Sequence, residues 1–273
     1  MYADCHLHTS FSGDSETPPT EQIEKAISLG MERICFTDHH DHDVVSDIDF
    51  NLDFPKYFEE MTRLRDVYKG RLDICIGLEM GLQNHIAGYL EELSKEYPFD
   101  FIIGSVHFID GLDPYYDGYF ETHPHNAYER FFETTLKRIK KISCFDSLGH
   151  LDYIVRYGKK HGLEYSYRKF ADCIDPILET IIGKGVALEC NTGALSRGMN
   201  EPNPGRDVFA RYRELGGELV TLGSDAHSPE TVGICFDMAG EMLKDCGFKY
   251  YAAYRGRNAQ MIKLGDKKKS PPV

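Results

Sequence analysis

The sequence has no apolar run of 18 residues, which excludes a membrane-spanning helix. It has no charged start leading into a shorter apolar segment, so a secretory signal is not expected and the cytoplasm is the expected compartment. No Cys-x-x-Cys occurs. The eight cysteines stand singly, with Cys5, Cys35, Cys75 and Cys190 inside expected strands, and read as small buried hydrophobes in a reducing compartment rather than thiolate ligands or disulfides. Basic residues are scarce: 31 Lys plus Arg face 44 Asp plus Glu, a net charge of −13. That argues against a nucleic-acid partner held by phosphate neutralisation and suits a protein that gathers carboxylates to bind cations. No Gly-x-Gly-x-x-Gly follows the first expected strand, which disfavours a dinucleotide-binding fold. No composition shift marks a linker. One domain is expected over 1–265, and the lysine run Lys267–Lys269 with its Ser-Pro-Pro continuation makes 266–273 a frayed basic tail.

What is present is alternation. Short runs rich in β-branched and aromatic residues predict strands at 2–5, 33–37, 73–78, 101–106, 144–148, 186–190 and 219–223. Between them lie stretches of helical period, among them Ala171, Ile174, Leu178 and Ile181, and again Val208, Tyr212 and Leu215. Gly30, Gly183, Gly185 and Gly216-Gly217 fall where helices should stop. Strand–helix alternation repeated in this way implies a parallel sheet, and a closed or nearly closed β/α barrel is favoured over an open doubly wound sheet. Two connections, 38–55 and 108–125, are too long for simple turns; the second is aromatic and acidic.

The first expected strand runs into His6-Leu7-His8, and residues two apart in a strand share a face, so both imidazoles could converge on one ion. The other strand ends carry the same chemistry: Asp38-His39-His40, Glu79, Ser105-Val106-His107, His150 with Asp152, Glu189-Cys190-Asn191, and Asp225-Ala226-His227. In β/α barrels these ends converge on one face. Solvated loops explain aspartates and glycines there, but not histidine at five strand ends. His6, His8, Asp14, His39, Glu79, His107, His150, Asp225 and His227 form the candidate ligand set. Histidine with carboxylate and without thiolate suits zinc, manganese or iron.

As an ordered set, His6-x-His8, Thr37-Asp38-His39, Gly77-Leu78-Glu79, Ser105-Val106-His107, Gly149-His150-Leu151-Asp152 and Ser224-Asp225-Ala226-His227 resemble the motifs of the PHP (polymerase and histidinol phosphatase) family. Ser105–Asp110 and Tyr250–Arg257 are similar to segments of its monofunctional histidinol-phosphate phosphatases. The resemblance implies a distorted seven-stranded (β/α)7 barrel holding three divalent transition-metal ions at the C-terminal ends of its strands. One ion would take His6, His8, Glu79 and Asp225; a second would share Glu79 and add His107 and His150; a third would take Asp14, His39 and His227. Some members carry histidine where Asp14 stands, which makes the third ion here more labile or changes its identity. The implied activity is hydrolysis of L-histidinol phosphate, a step of histidine biosynthesis, by a hydroxide bridging two ions.

Glu79, Asp225 and His42 are the candidate catalytic residues, His42 as general acid or phosphate contact. The resemblance places phosphate-binding arginines at Arg156 and Arg197. In the loop 108–125, Asp113, Asp117 and Glu121 are the expected counter-charges to the substrate's amine and imidazole. Tyr115, Tyr116 and Tyr119 either line that pocket or pack, and Asp152 is a candidate to orient His150. His85 and His161 are expected to be exposed, and His123-Pro124-His125 to be a loop imitation of the opening motif. The only expected partner is a small phosphate. Two other readings stay open: a phosphoesterase acting on a nucleotide or sugar phosphate, and a non-catalytic metal-binding scaffold.

Overall fold

Ten strands form among residues 2–265, which are those the computed structural model describes; the expected tail 266–273 lies outside the described residues. They are β1 (Ala3–Leu7), β2 (Arg33–Phe36), β3 (His39–His40), β4 (Asp73–Gly81), β5 (Phe101–Ser105), β6 (Ser147–Leu148), β7 (Ala187–Asn191), β8 (Val220–Gly223), β9 (Tyr250–Arg255) and β10 (Asn258–Lys263). Seven pair in parallel in the order β1-β2-β4-β5-β6-β7-β8, and β3 adds to β4. Beyond β8 the chain returns to β1: the Asp225 amide donates to the His6 carbonyl and the His8 amide to the Ala226 carbonyl, both at 2.9 Å. This contact closes the barrel and sets Asp225 beside the two histidines of β1.

The helical period is realised in Tyr167–Lys184, which buries Phe170, Ile174, Ile177, Leu178 and Ile181. The Ser166 side chain accepts from the Lys169 amide at its start, and Gly185, at φ 67°, ends it in the left-handed conformation that glycine adopts without steric cost. Gly183 is not a stop; it lies inside that helix. Each such apolar side chain taken from water contributes about 1.5–3 kcal/mol. These helices are amphipathic, and no helix among the described residues is long and apolar enough to cross a membrane.

Several elements depart from expectation. β1 and β4 run further than their apolar stretches, so His6 and Glu79 lie within strands rather than after them. Paired neighbours supply the hydrogen bonds that a single sequence does not reveal. β6 is only two residues long, though Asp146 extends its ladder by donating to the Ile102 carbonyl and accepting from the Ala187 amide. The hairpin β9–β10 was not expected. It turns at Gly256-Arg257, both at positive φ, which matches a type I′ turn. Tyr251 Oη accepts from the Ala3 amide, Asp100 accepts from the Gly256 amide, and Arg257 pairs with Asp146. The hairpin therefore covers the N-terminal ends of the strands and leaves their C-terminal ends open. The connection 108–125 is not bare loop; it holds an Ile109–Leu112 bridge and the helix Asp117–Thr122.

Candidate metal centre

All nine residues of the candidate ligand set meet at the open end. The parallel register pairs His39 of β3 directly with Glu79 of β4, which brings His39 Nδ1 within 2.9 Å of Glu79 Oε2. The same oxygen lies 3.2 Å from His6 Nε2 and 3.4 Å from His8 Nε2. Its twin, Oε1, faces the other side, at 3.2 Å from His107 Nε2 and 2.9 Å from His150 Nε2. Asp225 Oδ1 stands 3.4 Å from His8 Nε2, and Asp14 Oδ2 lies 3.2 Å from His227 Nε2 and 3.6 Å from His39 Nε2. Three groups of converging donors result: His6, His8 and Asp225; His39, Glu79 and His107; His8, His39 and His227.

The imidazoles are held by acceptors on their far side. His6 Nδ1 is 2.5 Å from Glu189 Oε1, and His107 Nδ1 is 3.0 Å from Asp41 Oδ2. His227 Nδ1 donates to the Asp225 carbonyl, and His8 Nδ1 meets Ser12 Oγ, whose own proton goes to Asp38. Each of these bonds keeps a ring proton on Nδ1 and turns Nε2 inward, where it can ligate a cation once it has given up any proton of its own. His6 Nε2 and His8 Nε2 then face each other at 2.9 Å, and Glu79 Oε2 and His39 Nδ1 are buried without a hydrogen-bond partner. Without a cation, only protons could separate these crowded donor atoms. Such a cluster is satisfied by cations, and the donor set of imidazole and carboxylate fits divalent transition metals.

The electrostatics agree. Burial opposes ionisation of Glu79, yet His6, His39 and His107 outweigh it and hold its carboxyl well below the ordinary range. Asp225, opposed by burial, is held down by His6 and His8, and Asp14, likewise, by His39 and His227. Burial also works against charge on His6 and His107, but Glu189 with Glu79, and Asp41 with Glu79, raise them well above the usual imidazole value. Burial lowers His8 and His150. Three carboxylates kept ionised, Glu79 and Asp225 of them buried, call for positive charge between them.

Two of these supports were not singled out in the sequence. Glu189 holds His6 and also accepts from the His150 amide at 2.7 Å, taking the place expected of Asp152, whose carboxylate instead accepts from Asn203. Asp41 lies two residues after His39 and so on its face, a spacing that could have marked it. Its carboxylate fits only because residue 81 is glycine: a Cβ there would stand 2.0 Å from Asp41 Oδ1. Gly81→Ala should therefore push Asp41 off His107 and lower activity about 10- to 100-fold, the range for partners of metal-binding histidines, with the fold retained by circular dichroism. Unchanged turnover would remove Asp41 from the account.

A cavity of about 520 Å³ lies over the cluster, with His39, His107, His150, Asp225 and His227 in its floor. Arg156 and Arg197 line it, but differently. The Arg156 side chain is 4 % exposed and donates to Asn203, Asn191 and Asp225; that of Arg197 is 45 % exposed and comes only within 3.9 Å of Asp225. Tyr115, Tyr116, Tyr153 and Tyr157 form an aromatic wall, and Asp113 reaches the cavity beside them. Asp117 and Glu121 do not line it. They project from the helix Asp117–Thr122, where Asp117 pairs with Lys160 on the surface. His42 is also outside: its ring packs on Tyr89 and His40, with Nδ1 at 3.2 Å from Asn51. Tyr119 is fully buried in the core. His85 is exposed and pairs with Asp43, whereas His161 is half-buried against Phe120. His123 binds the Tyr119 carbonyl, away from the cluster.

Residues 4–193 match the PHP domain family. The chain is 33% identical over 273 residues to the histidinol-phosphatase of Lactococcus lactis, covering 98% of this chain and 97% of that one. It is 34% identical to a probable histidinol-phosphatase of Clostridium acetobutylicum, over 91% of this chain and 95% of the relative. Among solved structures it resembles the histidinol phosphate phosphatase of Lactococcus lactis in complex with zinc, L-histidinol and phosphate, with a TM-score of 0.84 and 31% identity over 95% of this chain and 98% of the other.

Proposed function

This chain belongs to the PHP family, and we propose that it hydrolyses L-histidinol phosphate to L-histidinol and phosphate with divalent metal ions held around Glu79. The observation that carries the reading is the divided environment of Glu79, each of whose buried oxygens faces its own set of imidazole nitrogens. His6, His8, Glu79 and Asp225 would hold one ion, Glu79 with His107 and His150 a second, and Asp14, His39 and His227 a third, each zinc, manganese or iron. Such ions supply Lewis acidity, lowering the pKa of water towards neutrality and offsetting charge on the phosphoryl group and the departing oxygen. The chain's own residues do the rest. Arg197 and Arg156 bind the phosphate through paired hydrogen bonds. Water adds to phosphorus, the ester P–O bond breaks, and the alcohol oxygen ends with a proton. The same reading places the protein in the cytoplasm, in histidine biosynthesis.

The alcohol half of the substrate carries an amine and an imidazole, both able to bear positive charge. Asp113, in the cavity wall, is its counter-charge, and the tyrosines give the imidazole a flat partner. Asp113→Asn should lower kcat/KM for histidinol phosphate by about tenfold or more, as loss of one charged hydrogen bond does, while para-nitrophenyl phosphate is nearly unaffected. Equal losses on both substrates would take Asp113 out of recognition.

The reading is tested by turnover of metal-replete protein on a panel of phosphomonoesters. Histidinol phosphate should give the highest kcat/KM. A nucleotide or sugar phosphate turned over faster would replace the substrate, and no turnover at all would return the scaffold reading. Asp14→Asn tests the third ion: elemental analysis should show one ion weakened and two kept, with much reduced activity. Simultaneous loss of all ions would redraw the partition.

A further inference from the structure

A second cavity, of about 430 Å³, is bounded by residues 43–45, 83–85, 108, 110 and 111 and by the helix Ala127–Lys141. Phe108 belongs to the walls of both. Three cations of that helix reach the second cavity: Arg130, Lys137 and Arg138. Arg130 is satisfied by a two-pronged pairing with Asp110 at 2.7 and 2.8 Å, and His85 by Asp43. Arg138 is not. It is 7% exposed, its Nη1 is buried with no hydrogen-bond partner, and it makes no ion pair among the described residues. Lys137, also unpaired among the described residues, stands at the exposed rim one residue before it.

A buried guanidinium without a partner is costly, because charge taken out of water is normally repaid by an opposite charge and matched hydrogen bonds. Burial depresses the Arg138 pKa to about 10, against which Asp41 and Asp110 act only across a distance. The side chain therefore remains a cation at neutral pH. Its fork of donors suits a carboxylate or phosphate group. We propose that this second cavity is an oxyanion-binding site centred on Arg138, distinct from the metal centre and taking the phosphate or carboxylate of a small molecule.

The probe is inorganic phosphate, titrated calorimetrically into the metal-loaded full chain. Two sites per chain are expected, one of them displaced by competitive inhibitors of turnover and the other not. Arg138→Met keeps the apolar stem and removes the charge; it should weaken the second site by at least about tenfold and leave the first. Thr134→Glu places a carboxylate one helical turn before Arg138, from a partly exposed position that tolerates it, and should close the site by supplying the missing anion in the chain itself. It decides the matter if Arg138→Met does not fold. A single phosphate site in the unaltered protein, or two undiminished sites in either folded variant, would overturn the proposal and leave Arg138 solvated by water in its cavity.

Discussion

Glu79→Ala should remove almost all phosphatase activity, by on the order of 10³-fold or more, and should empty two metal positions together. Lewis-acid assistance to phosphoryl transfer is worth several kcal/mol, which sets that scale. The expectation follows from geometry. Glu79 is fully buried, and its two oxygens point in opposite senses, one to His107 and His150, the other to His6, His8 and His39. Asp225 and Asp14 sit at the margins of the cluster and cannot face both halves. Removing Glu79 would also leave five imidazoles without their shared counter-charge. Glu79→Gln keeps the volume and the Ser105 contact, so it should fold yet still lose both ions, which separates ligation from packing. Elemental analysis beside turnover is the measurement. Two tightly held ions in either variant would contradict the assignment of Glu79 as the residue both share.

The parts of this centre that were legible in the sequence are those written locally. A β/α barrel brings strand ends to one face, so His6, His107, His150 and Asp225 could be placed together from periodicity alone. What was not legible depends on pairing between distant segments. The register of β3 against β4 decides that His39 lies beside Glu79, and nothing in residues 38–41 announces a strand of two residues. Glu189 stood at a strand end like the others, but only the closed barrel shows that its carboxylate backs His6 rather than reaching the cluster. The loop acids failed for a related reason. Asp117 and Glu121 lie on a short helix whose exposed face carries them away, whereas Asp113, only four residues earlier, turns inward. The hairpin β9–β10 was missed because its burial is one-sided: β9 packs beneath the barrel while β10 is almost wholly exposed.

The two arginines of the cavity should part company when each is removed. Arg197 is nearly half exposed and touches the cluster only at 3.9 Å, so Arg197→Ala should leave metal content and stability within about 0.5 kcal/mol of the parent. Its cost falls on phosphate: about 10- to 150-fold in kcat/KM for every phosphomonoester, the value of a charged hydrogen bond of roughly 1.5–3 kcal/mol. Arg197→Lys should recover only part, since a point charge cannot make the two-pronged contact. Arg156 is a different case. Its three nitrogens hold Asn203, Asn191 and Asp225 in a buried network that continues from Asn203 to Asp152. Arg156→Ala strands all of them, including a carboxylate of the metal centre. It should destabilise the fold by about 3–5 kcal/mol, as breaking a buried ion pair does, and loosen the ion at Asp225 as well as the phosphate. Thermal unfolding, metal content and turnover measured on both variants decide the point. If Arg156→Ala keeps its ions and its melting temperature and loses only kcat/KM, Arg156 serves the phosphate alone, as Arg197 does, and its bracing of Asp225 carries no energy.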